Sequence, residues 1–198
     1  MKKENVAKAL GFLTLAMHYH HLAKNVLEKM GESNSHIVVG SKGTIDRYDE
    51  LTKWSDFRVL IPTLFLFYHG LELQLKGLLA FHNKINTNHS LQKLLSAIKK
   101  EKDIPLAVTT VAERHIDINQ INHFLKKFIT VNKISVDELY MSLRYPTDKK
   151  LTKDFSYFEL KYKEKKIIPY IEILIADCKM LNKETGEYYS RFRHLLDL

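Results

Sequence analysis

The sequence predicts an all-α protein: an up-and-down helical bundle with a small β-hairpin-like excursion near residues 146–162. Three observations carry this expectation. Long segments place apolar residues every three or four positions, the period of a helix with one buried face. Glycine and proline are scarce, at seven and four among 198 residues. Hydrophobic residues make up 45% and charged residues 27%, the composition of a globular chain long enough to bury a core. A single domain over 1–198 is the simplest organisation, with a long connection at 31–54 and an insertion at 146–162.

The elements follow in chain order. Val6, Leu10, Leu13, Met17, His20, Ala23, Leu27 and Met30 share one face of a helix from about Asn5 to Met30, with Gly31 as its stop. The polar "GESNSHIVVGSKGTIDRYDELTKWSD" reads as a connection holding a short strand at 37–39. Ser55 or Asp56 can cap a second long helix reaching about Asn83, with Pro62 as a kink point. In "HSLQKLLSAIKKEK", Leu91, Leu94, Leu95 and Ile98 mark a short helix whose basic end suits the macrodipole.

Pro105 can open a further helical region, whose apolar face is Ile118, Ile121, Leu125, Phe128 and Ile129. Ser135 and Glu138 form a Ser-x-x-Glu capping box, starting a helix through Leu143 that Pro146 stops. Phe158, Leu160 and Tyr162 alternate with charged residues, which suits a hairpin. Ile167, Ile168, Ile171, Leu174, Ile175 and Leu181 mark a last long helix that ends before Gly186, followed by a short C-terminal one.

A formal charge of +8 and a pI near 9.3 favour an anionic partner such as RNA or a nucleotide. A single cysteine, Cys178, excludes an intrachain disulfide and fits a reducing, cytoplasmic setting. It sits among apolar residues, as a small core side chain does. No segment reads as a membrane span, because the most apolar run carries His69, Glu72, Gln74 and Lys76 in its middle.

Common catalytic signatures are missing. There is no His-Glu-x-x-His and no Gly-x4-Gly-Lys-Ser/Thr, and "GSKGT" lacks the strand-to-helix setting of a phosphate cradle. Asp46 and Asp49 lie too close to the Gly-Ser pair for nucleotidyltransferase chemistry. His18 and His21 stand one turn apart, as metal ligands can, but nothing supplies the remaining ligands, and no metal or other cofactor is expected.

Two groups of residues are candidates for function. Between Lys149 and Lys166, seven lysines (Lys149, Lys150, Lys153, Lys161, Lys163, Lys165 and Lys166) face three acidic residues, with Phe155, Tyr157, Phe158 and Tyr162 interleaved. Lysine charge with an aromatic face such as Tyr157 suits single-stranded nucleic acid, and equally a solvated basic edge on a packed hairpin. Arg191, Arg193 and His194 add basic groups near the C-terminus. The second group is the stripe His69, Glu72 and Lys76, which falls on one helix face. Glu72 precedes Lys76 by four residues, the orientation of an exposed helical ion pair worth a few tenths of a kcal/mol.

The run "YHGLELQLKGLLAFHNKINTNHSLQKLL" resembles the HEPN superfamily of prokaryotic helical bundles. The likeness rests on a Glu-x-x-x-Lys-x-x-Leu helix (Glu72, Lys76, Leu79) followed by a His-x-Leu-x-x-Leu-Leu helix (His89, Leu91, Leu94, Leu95), with "LRYPTDKK" as a later element. It implies a cytoplasmic bundle that often dimerises, in toxin–antitoxin, phage-defence or RNA-processing settings. Active relatives are metal-independent endoribonucleases that pair an Arg with a His a few residues on. In such a site His acts as general acid or base and Arg stabilises phosphate charge. No arginine here has that His five to seven residues beyond it: at those places after Arg144, for example, stand Lys149, Lys150 and Leu151.

The expectation is therefore a HEPN-like protein that binds RNA, a nucleotide or a cognate protein partner, without the standard ribonuclease motif. The alternative is a metal-independent endoribonuclease whose site is rearranged from His69, Glu72, His89 and Arg144 at the interface of a homodimer.

Overall fold

Two long helices, α1 (Lys3–Glu32) and α3 (Asp56–Phe81), lie against each other in opposite directions. Gly70 faces Tyr19 and His20, Gly77 faces Leu13 and Ala9, and the Asn5 side-chain amide donates to Asn83 Oδ1 at 2.9 Å. The two glycines make this closeness possible. A Cβ on Gly70 would sit 2.6 Å from the His20 ring, and one on Gly77 would sit 2.8 Å from Leu13 Cδ2. A third long helix, α8 (Ile168–Phe192), packs on α1 and runs parallel to α3. Gln74 Nε2 donates to Leu181 O at 3.1 Å and to Thr185 Oγ1 at 3.0 Å, while Phe81 meets Tyr188 and Phe192 one to two turns further along both helices.

Five shorter helices complete the described fold: α2 (Ile45–Thr52), α4 (Leu91–Ile98), α5 (Leu106–Ile116), α6 (His123–Asn132) and α7 (Val136–Ser142). The computed structural model describes residues 3–33, 45–84, 87–148 and 150–192, and the strand expected at 37–39 lies outside them. One continuous apolar core joins the helices, centred on Leu64, Phe67, Leu71, Leu75 and Leu78 of α3. Each such fully buried side chain contributes roughly 1.5–3 kcal/mol relative to exposure. The result is the expected all-α bundle, and no helix among the described residues is long and apolar enough to cross a membrane.

Local chemistry explains the helix ends. Ser90 Oγ accepts from the Lys93 N–H at the start of α4, Asn122 Oδ1 accepts from the Phe124 N–H at the start of α6, and the Ser135–Glu138 capping box closes on α7. Ser55 precedes α3 but does not cap it with its side chain. Its hydroxyl donates to Thr52 O, and Asp56 accepts from the Lys163 N–H instead.

Several boundaries differ from the sequence expectation. The connection after α1 contains a helix, α2. Gly31 and Gly186 do not stop their helices, since α1 reaches Glu32 and α8 runs unbroken to Phe192. Past Gly186, Tyr188 is buried and Tyr189 and Phe192 pack on the core, which outweighs the ~1 kcal/mol that glycine costs in a helix.

The excursion after Pro146 turns back through one antiparallel bridge, Thr147 with Asp154, supported by Asp148 N–H to Lys153 O and Phe155 N–H to Pro146 O, both 2.9 Å. Residues 158–160 then wind as a 3-10 turn. Leu160 is therefore buried while Phe158 and Tyr162 are exposed, so the alternating pattern does not share one face.

Candidate functional site

Along α3, residues 69, 72 and 76 fall on one stripe, and the structure buries its lower part. Glu72 is 1% exposed and Lys76 6%, so the pair is an interior one. Lys76 Nζ lies 2.7 Å from Glu72 Oε1. The same oxygen lies 2.8 Å from Nδ1 of His89, which arrives from the segment before α4. Glu72 Oε2 faces His69 Nδ1 at 3.8 Å, and that nitrogen shares a 2.6 Å hydrogen bond with the Tyr140 hydroxyl. One buried carboxylate thus gathers two imidazoles, an ammonium and a phenol.

Local caps set this register. Ser90 Oγ, the cap of α4, donates to Asp137 Oδ2 at 2.5 Å, which ties the start of α4 to the first turn of α7. Tyr140 lies one turn beyond Asp137 on the same face, and Arg144 follows just past the helix end. The Arg144 guanidinium stacks over Phe65 at 5.9 Å and Tyr145 at 5.4 Å, and it has no carboxylate partner among the described residues. His69 stands edge-on to Tyr19 at 4.6 Å and stacks on Phe65 at 5.5 Å.

The electrostatics follow from this packing. Burial pushes the Glu72 carboxyl upward, but Lys76, Tyr140 and His89 outweigh it, and the group is held below the usual carboxylate range. Burial also lowers His69 below its ordinary value; Glu72 opposes this, while Arg144, Lys76 and nearby His89 reinforce it. His69 is therefore mainly neutral near pH 7. Burial and the adjacent Glu72 carboxylate push the Tyr140 phenol well above its ordinary value, so it keeps its proton. With Glu72 ionised and able only to accept, His89 donates from Nδ1 and keeps Nε2 for other work. In the tautomer that donates from Nδ1 to the Tyr140 oxygen, neutral His69 likewise has a bare Nε2 left to accept a proton.

His89 also lines a cleft of about 1150 Å³, together with Asp137, Tyr145, Asp148, Lys150 and Phe155. All four residues expected to act together, His69, Glu72, His89 and Arg144, meet within a single chain, so the set does not need a dimer axis to assemble.

The lysine-rich segment is more committed to structure than its composition suggests. Lys149 lies outside the described residues, as do Arg193 and His194. Lys153 donates to the Asn132 carbonyl. Lys163 lies 3.2 Å from the Glu159 carboxylate and over the Phe158 ring, and Lys161 sits over Tyr157. Tyr157 itself packs on Phe128, with its hydroxyl 2.5 Å from Ser142 O and 2.9 Å from Tyr145 O, closing the end of α7. Lys150, Lys165 and Lys166 are exposed, and of these Lys150 faces the cleft.

The remaining motifs behave as their environments dictate. His20 is fully buried, His18 and His21 are exposed, and no group of three metal-ligating side chains occurs among the described residues. Cys178 is buried and its thiol is pushed up to about 12, which leaves it inert as a nucleophile. Sequence reading missed Tyr19, Tyr140 and Asp137. The only signal for Tyr140 was the capping box, which fixes where α7 starts and hence which face Tyr140 occupies. Comparison of the chain with protein-family models, curated proteins and solved structures finds no match.

Proposed function

We propose that the chain is a HEPN-like helical protein that binds RNA at the polar site on α3, in a defence or toxin–antitoxin setting. The observation that carries this reading is the convergence of His69 and His89 on one buried carboxylate beside the exposed Arg144, which has no carboxylate partner among the described residues. Arg144 is stacked over Phe65 and Tyr145, an orientation that suits a phosphate. The adjoining cleft supplies Lys150 for a second phosphate and the exposed ring of Tyr145 for a base. The net charge of +8 assists encounter. Glu72, Lys76 and His89, on which the family resemblance rests, are the residues at the centre of the site.

Fluorescence anisotropy with a labelled single-stranded RNA, in EDTA, tests this directly. Binding should weaken steeply between about 50 and 200 mM salt. Arg144→Ala should lower affinity by about tenfold or more and reduce the salt slope. Salt-insensitive binding, no binding, or undiminished binding by the variant would overturn the proposal.

A second reading, metal-independent cleavage of that RNA, is favoured by the neutral state of His69 and the free Nε2 of both imidazoles. His69 would take the ribose 2′-hydroxyl proton as the 2′-oxygen attacks phosphorus. The bond to the 5′-oxygen would break, with His89, protonated on both nitrogens and held at Nδ1 by Glu72, giving its Nε2 proton to the leaving oxygen and Arg144 holding the phosphate charge. The products would be a 2′,3′-cyclic phosphate and a 5′-hydroxyl. Incubation in EDTA with the wild type and His69→Ala decides: cleavage lost in the variant supports the reading, and equal or zero cleavage by both refutes it.

A further inference from the structure

His69 stands at the boundary between interior and solvent. Its side chain is 26% exposed, whereas Tyr140 and Glu72, the groups at its Nδ1, are 2% and 1% exposed. Nδ1 therefore points inward, and Nε2 lies on the opposite edge of the ring. Neighbouring rings fix that orientation: Tyr19 stands edge-on at 4.6 Å, and Phe65 and Tyr140 stack at 5.5 and 6.4 Å. Orientation alone does not decide which nitrogen carries the proton, and on this depends whether Nε2 can accept one.

Neutral His69 and the protonated phenol of Tyr140 share one 2.6 Å contact, which can be arranged in two ways. In the first, the phenol donates to Nδ1, so the ring proton sits on Nε2 and that nitrogen can only donate. In the second, Nδ1 donates to the phenol oxygen, and the phenol proton turns to another acceptor. Glu72 separates the two. Its Oε1 is engaged by Lys76 and His89, while its Oε2 is buried without a hydrogen-bond partner and lies 3.8 Å from His69 Nδ1. The same carboxylate is close enough to the phenol to push it upward. The first arrangement aims a bare ring nitrogen at this anion and turns the phenol proton away from it, which a buried carboxylate tolerates poorly. The second points the positive end of both the Nδ1–H and the O–H dipole toward it, and hydrogen bonds directed at a charged acceptor are the stronger ones.

We propose that Tyr140 is a positioning residue which, oriented by Glu72, holds neutral His69 in the tautomer protonated at Nδ1 and bare at Nε2. The open edge of His69 is then a proton acceptor before any substrate arrives. Its use in taking a 2′-hydroxyl proton rests on the cleavage reading above; the tautomer itself does not.

Nitrogen-15 NMR of the RNA-free full chain at neutral pH tests this, because bare and protonated imidazole nitrogens resonate far apart. The His69 signals are assigned by their loss in His69→Asn. In the wild type, Nδ1 should be protonated and Nε2 bare. Tyr140→Phe should move both nitrogens toward the averaged positions of exchanging tautomers, with thermal denaturation confirming that the fold is kept. Glu72→Gln combined with Lys76→Met removes the anion, frees the phenol to donate to Nδ1 and should reverse the tautomer; it serves alone if Tyr140→Phe does not fold. A wild-type His69 that carries its proton on Nε2, or a tautomer unchanged in either folded variant, overturns the proposal. RNA that is neither bound nor cleaved overturns the earlier reading without moving these signals, so the two failures are distinct.

Discussion

Glu72 shows how one residue sets both stability and chemistry. Its carboxylate is shut away from water and compensated by Lys76, so removing the ammonium leaves a buried charge unpaired. Lys76→Met should cost about 3–5 kcal/mol in urea denaturation, and adding Glu72→Gln to it should restore most of that loss. A surface pair would lose only a few tenths, so the magnitude separates the two situations. His20 gives the matching pH effect. Unfolded, it takes up a proton below its ordinary 6.5, whereas burial first, then nearby His115, hold the folded residue to about 3. The unfolded state thus binds more protons in that window. Stability is full above pH 6.5 and should fall by about 1.4 kcal/mol per pH unit from this group as the pH drops toward 3. His20→Leu should flatten the slope, as measured by denaturation midpoints across pH. That His20 belongs to the core was legible from its place in the α1 repeat. That Lys76 would be buried was not, because the spacing of an i,i+4 pair is the same whether water or a neighbouring helix covers it.

Among the elements, α1 and α3 were readable because their apolar period is long and unbroken. The glycines misled, because the same residue type does opposite jobs. Gly70 and Gly77 let two helices touch, while Gly31 and Gly186 merely lie in helices with nothing within 4 Å of an added Cβ. Substitution should expose this difference. Gly70→Ala should destabilise the fold despite alanine's better helix propensity, since its Cβ would press on the buried His20 ring. Gly186→Ala should stabilise by up to about 1 kcal/mol. Thermal denaturation of the two variants checks both signs. The end of the chain was read as two helices for the same reason: glycine marks a permitted stop, and the apolar face beyond it decides whether the stop is used.

At the scale of the molecule, the site is a product of tertiary placement. Neighbouring turns of α3 bring His69 and Glu72 together, but His89 and Tyr140 come from other elements, fixed by the Ser90–Asp137 bond between α4 and α7. His89 was singled out through the HEPN likeness. Tyr140 and Asp137 were invisible, because their roles depend on which face of α7 meets the start of α4. In the lysine-rich segment, composition reports charge but not the Asn132, Glu159 and Phe158 partners that Lys153 and Lys163 find.

The central claim, that RNA is bound at His69 and His89, is tested most directly by imidazole nitrogen-resolved NMR of the protein's ten histidines during titration with a single-stranded RNA. The account predicts that the His69 and His89 resonances shift together and saturate, while buried His20 and His115 stay in place. Saturable RNA binding that leaves His69 and His89 unmoved would contradict it.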